Sequence, residues 1–465
     1  MLAALLVAVF PAPVSAAAAE GLDGAALGLG WVLPFAGLLL SIAILPAVAP
    51  SLWHRHFGKI AAGWALVLLA PLTATQGGAT VLHALWHTAL LEYLPFIILL
   101  TTLYAITGGV RLSGTLHGTP GVNTAMLGIG TLLASVMGTT GAAMLVVRPL
   151  LRANRRRRHY RHVFVFLIIL VGNLGGALTP LGDPPLYIGY LQGVPFFWPL
   201  VNLSLPMLLA SGTLLALFFA VDSLMHRRSG RPEPDPLEEV GRLKLRGKRN
   251  LAMLAAAVAV VMASGTWRSG ATVDILGVEA APEALAGDAA LVLLTLLALR
   301  FGRSEIRRIN DFGWGPMVEV AILFAAIFAT IIPVLAIVQA GEAGAASAIM
   351  PLLGSREAPN DAAYFWLTGI LSAFLDNAPT YLLFFNFAGG NVAALTGPRV
   401  TTLTAISAGA VFFGALTYIG NAPNFMVRAI IEDSRLAMPN FFAYAVWAAA
   451  LLLPLFGALT VIFFR

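Results

Sequence analysis

The 465-residue sequence contains no cysteine, which excludes disulfides, thiolate metal sites and thiol nucleophiles together. Charge is nearly as scarce. Only 11% of residues are charged, against roughly 25% in soluble domains, and the mean hydropathy is +0.86. Ten-residue alternation of apolar and polar residues is also missing, so nothing supports a membrane β-barrel. Net charge is +6 and the pI near 9.8, yet the basic residues sit in short loops beside apolar runs, where they orient spans. Nucleic acid is therefore excluded as the expected partner.

What the sequence does have is apolar runs of about twenty residues along its whole length, matched to a hydrocarbon core about 30 Å thick. The expected fold is an all-α polytopic membrane protein whose partner is the lipid bilayer. Residues 1–30 read as a signal peptide and N-terminal segment: an apolar run before Pro11 too short to span, then small residues with a cleavage site near Ala16.

One stretch interrupts the apolar pattern, Gly176-Ala-Leu-Thr179-Pro-Leu-Gly-Asp183-Pro-Pro185, and it has a twin at Gly414-Ala-Leu-Thr417-Tyr-Ile-Gly-Asn421-Ala-Pro423. Six of ten positions agree and the offset is 238 residues. The same offset carries Gly138-Thr139-Thr140-Gly141, a polar break between two apolar arms, onto Asp376-Asn377-Ala-Pro379, another such break. Two half-length arms meeting at a polar tip read as a re-entrant hairpin, and Gly and Pro inside a span read as a broken helix.

The expected organisation is a first repeat over 31–222, with hairpin 121–151 and broken helix 162–190; a cytoplasmic linker over 223–249; and a second repeat over 250–465, with hairpin 361–390 and broken helix 401–425. Each repeat has five crossings, about ten in all plus two hairpins. An odd number inverts the second half relative to the first. With the first span starting outside, the run from Arg148 to Arg161, the linker and the Arg303 to Arg308 loop all fall inside, as positive charge should.

Two hairpin tips and two broken helices converging at mid-membrane offer unwound carbonyls, helix ends and side-chain oxygens. The candidate site is Thr139, Thr140, Asn173, Thr179 and Asp183 from the first half, with Asp376, Asn377, Thr380, Thr417 and Asn421 from the second. A lone Gly, Thr or Asn in a span is accounted for by helix packing. Acids at matching depth are not, since each costs roughly 2.5 to 3.5 kcal/mol at a span centre. No Lys or Arg lies beside Asp183 or Asp376 in the membrane portions, so both are read as sodium or proton ligands.

The two hairpins, broken helices and inverted halves resemble the ion transporter superfamily. Leu375-Asp-Asn-Ala-Pro-Thr380 and Gly420-Asn-Ala-Pro423 are most similar to its D-type sodium/proton antiporters and its citrate-transporter branch. The dicarboxylate branch differs in carrying Ser-Asn-Thr at both tips. The resemblance implies that each tip and its broken helix coordinate a cation, with Thr139, Thr140 and Asp183 in one cluster and Asp376, Asn377 and Asn421 in the other.

Two fixed acids attract Na⁺ or Li⁺ and repel a carboxylate. The expected function is therefore a Na⁺(Li⁺)/H⁺ antiporter working by alternating access in a bacterial inner membrane. The alternative is a cation-coupled citrate or dicarboxylate transporter. No resident cofactor is expected, and a homodimer is admitted but not required. An enzyme would need a nucleophile with a positioned base, and Ser372 near Asp376 has no His in the same element. His83 and His87 lie one turn apart but lack a third metal ligand. Glu92 and Glu319 could relay protons, but each lies near an expected span end, where water also accounts for it, and their roles stay open; Asp222 has the same hydrated reading.

Overall fold

A computed structural model of the protein describes residues 22–229 and 244–465 except 115, 268 and 356, so most of the expected signal peptide and of the linker lie outside the described residues. Apolar sequence in lipid can satisfy its backbone only internally, and helices dominate accordingly. The first half holds α1 (Leu33–Val48), α2 (Pro50–Gln76), α3 (Gly78–Thr107), α4 (Pro120–Met137), α5 (Thr139–Asn154), α6 (Arg161–Leu170), α7 (Pro184–Leu191) and α8 (Ser204–Ser229). The second holds α9 (Lys248–Thr266), α10 (Pro282–Phe301), α11 (Gly315–Gln339), α12 (Asp361–Phe374), α13 (Asn377–Phe387), α14 (Val400–Phe413), α15 (Ala422–Asp433) and α16 (Phe441–Phe463). Proline occupies the first turn of many of these helices, where its missing N–H costs nothing.

Among the described residues, ten helical segments are long and apolar enough to cross a membrane. Length alone puts α4 among them, although the sequence reads it as a hairpin arm, and leaves α14 with its 3₁₀ extension as a shorter apolar segment. The expected linker begins later than 223, because α8 runs to Ser229. Two short antiparallel ribbons complete the fold: β1 (Arg111–Ser113) with β2 (Lys244–Arg246), and β3 (Val273–Ile275) with β4 (Val278–Ala280).

The broken helices form the interior. Over 161–178, 89% of residues are buried, against 11% of the α10 span, whose exposed Val292, Leu293 and Leu296 suit a lipid-facing surface. After α6 the chain tightens into a 3₁₀ turn, Leu174–Leu178, and restarts as α7; after α14 it does the same through Gly414–Leu416 and restarts as α15. Freed backbone at this depth needs partners, and both halves supply them alike. Thr179 Oγ1 donates to Ser135 O and Thr417 Oγ1 to Ala373 O, while Leu181 N and Ile419 N donate to the same two hydroxyls. Each second-half partner lies 238 residues after its first-half counterpart.

The turns are possible only because two glycine pairs cross. A Cβ on Gly182 would lie 2.1 Å from Gly176 O, and one on Gly420 would lie 2.6 Å from Gly414 O. Backbone cannot yield as a side-chain tip can. Gly182→Ala and Gly420→Ala are therefore expected to destabilise the protein by about 1 to 3 kcal/mol, the former more. Thermal unfolding in detergent would measure this against Gly212→Ala, where nothing lies within 4 Å.

Candidate functional site

Four elements meet at Asp183, the residue preceding α7, which is 1% exposed. Its Oδ1 accepts from Thr139 Oγ1 at 3.1 Å and from Asn421 Nδ2 at 2.9 Å, and its Oδ2 accepts from Asn377 Nδ2 at 2.6 Å. Thr139 opens α5, Asn377 opens α13 and Asn421 precedes α15, so each break contributes one side chain. The three donors are neutral. No Lys or Arg among the described residues pairs with Asp183.

The local chain explains why these atoms converge. Gly138, between α4 and α5, has φ +79, a conformation that side chains rarely adopt, and Thr139 N then donates to Gly182 O at 2.9 Å. That bond fixes the first tip against the first broken helix. At the second tip the corresponding residue, Asp376, has an ordinary φ of −58 and caps α13 by accepting from Ala378 N at 3.1 Å. An acid is compatible with that backbone and would be strained at 138.

The family resemblance implies a cluster of Asn377 and Asn421 with Asp376, but both asparagines donate to Asp183 in the other half. Asp376 is half-buried beside Asn377 and near enough to interact electrostatically with Asp183. Asn377 and Asn421 thus join Thr139 around Asp183, while Asp376 makes none of those bonds. Thr380 Oγ1 donates to Asp376 O at 3.0 Å; Thr179 and Thr417 hold backbone, as above; Thr140 follows Thr139 and makes none of the bonds to Asp183. Asn173 Nδ2 donates to Ile168 O and to Asn424 Oδ1, at 2.8 and 2.7 Å.

Asn424 escaped the sequence reading because its counterpart at the repeat offset is Leu186. Its Nδ2 donates to Gly414 O and Thr417 O at 2.8 and 2.9 Å, so it closes the second break and ties it to Asn173 across the halves. Two buried oxygens at the site have no hydrogen-bond partner, Asn173 Oδ1 and Asn377 Oδ1. Asn377 Oδ1 shares an amide with the Nδ2 that donates to Asp183, so carboxylate and carbonyl oxygens lie together there without positive charge, a chemistry suited to a small hard cation or a proton.

Asp222 corrects an expectation. It is fully buried, not hydrated: Arg157 Nη2 lies 2.6 Å and His162 Nε2 2.8 Å from its Oδ1, and Asn123 Nδ2 donates to its Oδ2 at 2.9 Å. Asn154 joins the network through Asn123 and Arg157. The ends of α4 and α5 remote from the Gly138 tip are thereby fastened to α6 and α8. Glu319 accepts from Trp53 Nε1 at 3.1 Å. Among the described residues there is no group of three or more His, Asp or Glu able to hold a metal, and His83 instead contacts Gly277 O.

Interrupted helices whose breaks gather a buried acid, inside a coat of apolar helices, define a multi-pass integral membrane protein built to handle a solute at depth. A family model described as "Putative citrate transport" matches residues 24–464, and the chain belongs to that family of secondary transporters. No curated protein matches the chain.

Removing Asp222 would leave a buried guanidinium unpaired. Asp222→Ala is therefore expected to cost about 3 to 5 kcal/mol, read as lost monodisperse protein or a lowered unfolding temperature in detergent. An unchanged unfolding temperature would show that the network is not a fastening.

Proposed function

We propose that the protein exchanges Na⁺ or Li⁺ for protons, with Asp183 as the group that binds one or the other. The observation that carries this reading is a buried carboxylate held only by neutral donors from all three other breaks, with the unpartnered Asn377 Oδ1 beside it. Asn377 and Asn421 are carboxamides, and a half-turn of either presents oxygen in place of N–H. Protonated, Asp183 needs no cation; ionised, it draws one. Competition for one carboxylate is sufficient for exchange.

In this reading the α4–α5 and α12–α13 pairs are re-entrant hairpins in halves of inverted topology, approaching the site from opposite sides. Repetition of the Thr179 and Thr417 bonds at the 238-residue offset supports it, as does the arginine-rich charge on one set of loops. Alternating access then consists of exposing Asp183 first to one side and then to the other. A bacterial inner membrane suits that charge bias.

A second reading, cation-coupled uptake of citrate or another carboxylate, is favoured by the family description. The amide groups of Asn377 and Asn421 are the donors a carboxylate would use, once bound cations offset Asp183 and Asp376.

In inverted vesicles carrying a pH-sensitive dye, Na⁺ or Li⁺ is expected to discharge an imposed proton gradient. Asp183→Asn should lower that response more than about tenfold while the protein still folds, because it removes a charge and not a packing group. Sodium-dependent uptake of labelled citrate with no cation-driven proton movement would replace the first reading by the second.

A further inference from the structure

A buried acid outside this site remains unexplained. Glu92 is 6% exposed and its Oε2 has no hydrogen-bond partner. It sits in the π-helical segment Ala89–Tyr93 that interrupts α3, and such bulges concentrate at functional positions because they spoil regular hydrogen bonding. The expectation that water accounts for Glu92 fails. The helix begins earlier than its apolar run, and the β3–β4 ribbon covers the preceding turns: Trp86 Nε1 donates to Ile275 O at 2.9 Å, and Leu90 packs with Val278 and Ala280.

The neighbours of Glu92 point towards Asp183. The π segment packs against α7, the arm that begins immediately after Asp183, and Gln192, at the far end of that arm, sets its side-chain amide against the Glu92 carboxyl. Eight helical residues separate the two ends, roughly 12 Å. The titratable groups on the elements packed here are the buried His87, five residues before Glu92, Tyr93, which donates to Ala321 O on α11, and Tyr187 on α7, which donates to Pro95 O and has Asp288 of α10 near it. Among the described residues no Lys or Arg is paired with Glu92, so its charge has no fixed counter-ion.

We propose that Glu92 is a second proton-carrying acid of the transport path, standing between the water at the β3–β4 end of α3 and Asp183. In one direction the Glu92 O–H bond breaks, its proton passes over intervening water to an Asp183 carboxylate oxygen as the cation departs, and the Glu92 carboxylate takes a proton from outside. The reverse direction reverses each step. This rests on the cation/proton exchange reading above.

The test compares two fluxes in proteoliposomes: Na⁺-driven proton movement, and exchange of labelled for unlabelled Na⁺ at equal pH, which needs no proton transfer. Glu92→Gln should lower the first about tenfold or more and leave the second within about twofold, and Glu92→Asp should restore most of the first. Equal fluxes to the unaltered protein, or a parallel fall in both, would overturn the relay. An unaltered protein showing labelled Na⁺ exchange but no proton-coupled flux would overturn the relay and the exchange reading together, whereas proton coupling that ignores Glu92 overturns the relay alone. Should Glu92→Gln not fold, the unaltered protein is treated with a hydrophobic carbodiimide. An adduct on Glu92 that suppresses only proton-coupled flux supports the relay. No adduct, or an adduct without that effect, overturns it.

Discussion

Backbone that leaves the helical ladder deep in a membrane has no water to turn to, and the interior of this protein is arranged around that constraint. Two helices break, and the polar groups they free are taken up by a small set of side chains. Thr179 and Thr417 reach across to Ser135 O and Ala373 O, Asn424 closes on Gly414 O and Thr417 O, and Asn173 bonds Ile168 O. Because these hydroxyls and amides are spent on backbone, they are scaffolding for the site as much as members of it.

The scaffold makes an expensive residue tolerable. A carboxylate without a cation is stabilised in apolar surroundings only by direct donors, and Asp183 receives three. The donors come from both tips and from the other broken helix, so displacement of any one element changes the number of hydrogen bonds at Asp183. The charge state of one carboxyl group and the positions of the helices around it are thereby linked. The Arg157–Asp222 network acts in the opposite sense, holding the remote ends of α4 and α5 against α6 and α8 while the tip lies at the site.

The architecture was legible in the sequence because membrane helices announce themselves by length and because the 238-residue offset links two pairs of breaks. Of the site, Thr139, Asp183, Asn377 and Asn421 could be read from that repetition. What the repetition could not show was partnership. The family resemblance implied one cluster in each half, whereas Asn377 and Asn421 cross to Asp183, and contact between halves has no signature in spacing. Asn424 was invisible for a related reason, having Leu186 as its counterpart. Asp222 was misread, and the role of Glu92 was left open, because hydropathy places residues along a span and says nothing of an arginine turned inward or a ribbon folded over its end.

The bond between Asp183 and Asn421 joins two residues that occupy matching places in the two similar stretches, 238 residues apart. A position that touches its own counterpart cannot be filled twice by the same letter without consequence. Two aspartates would set like charges against each other, and two asparagines would hydrogen-bond but carry no charge. A mixed pair gives one negative charge already provided with a donor, without needing a shared proton. One difference between the two matching stretches, Asp183 against Asn421, thus separates a neutral packing seam from a buried acid held by hydrogen bonds.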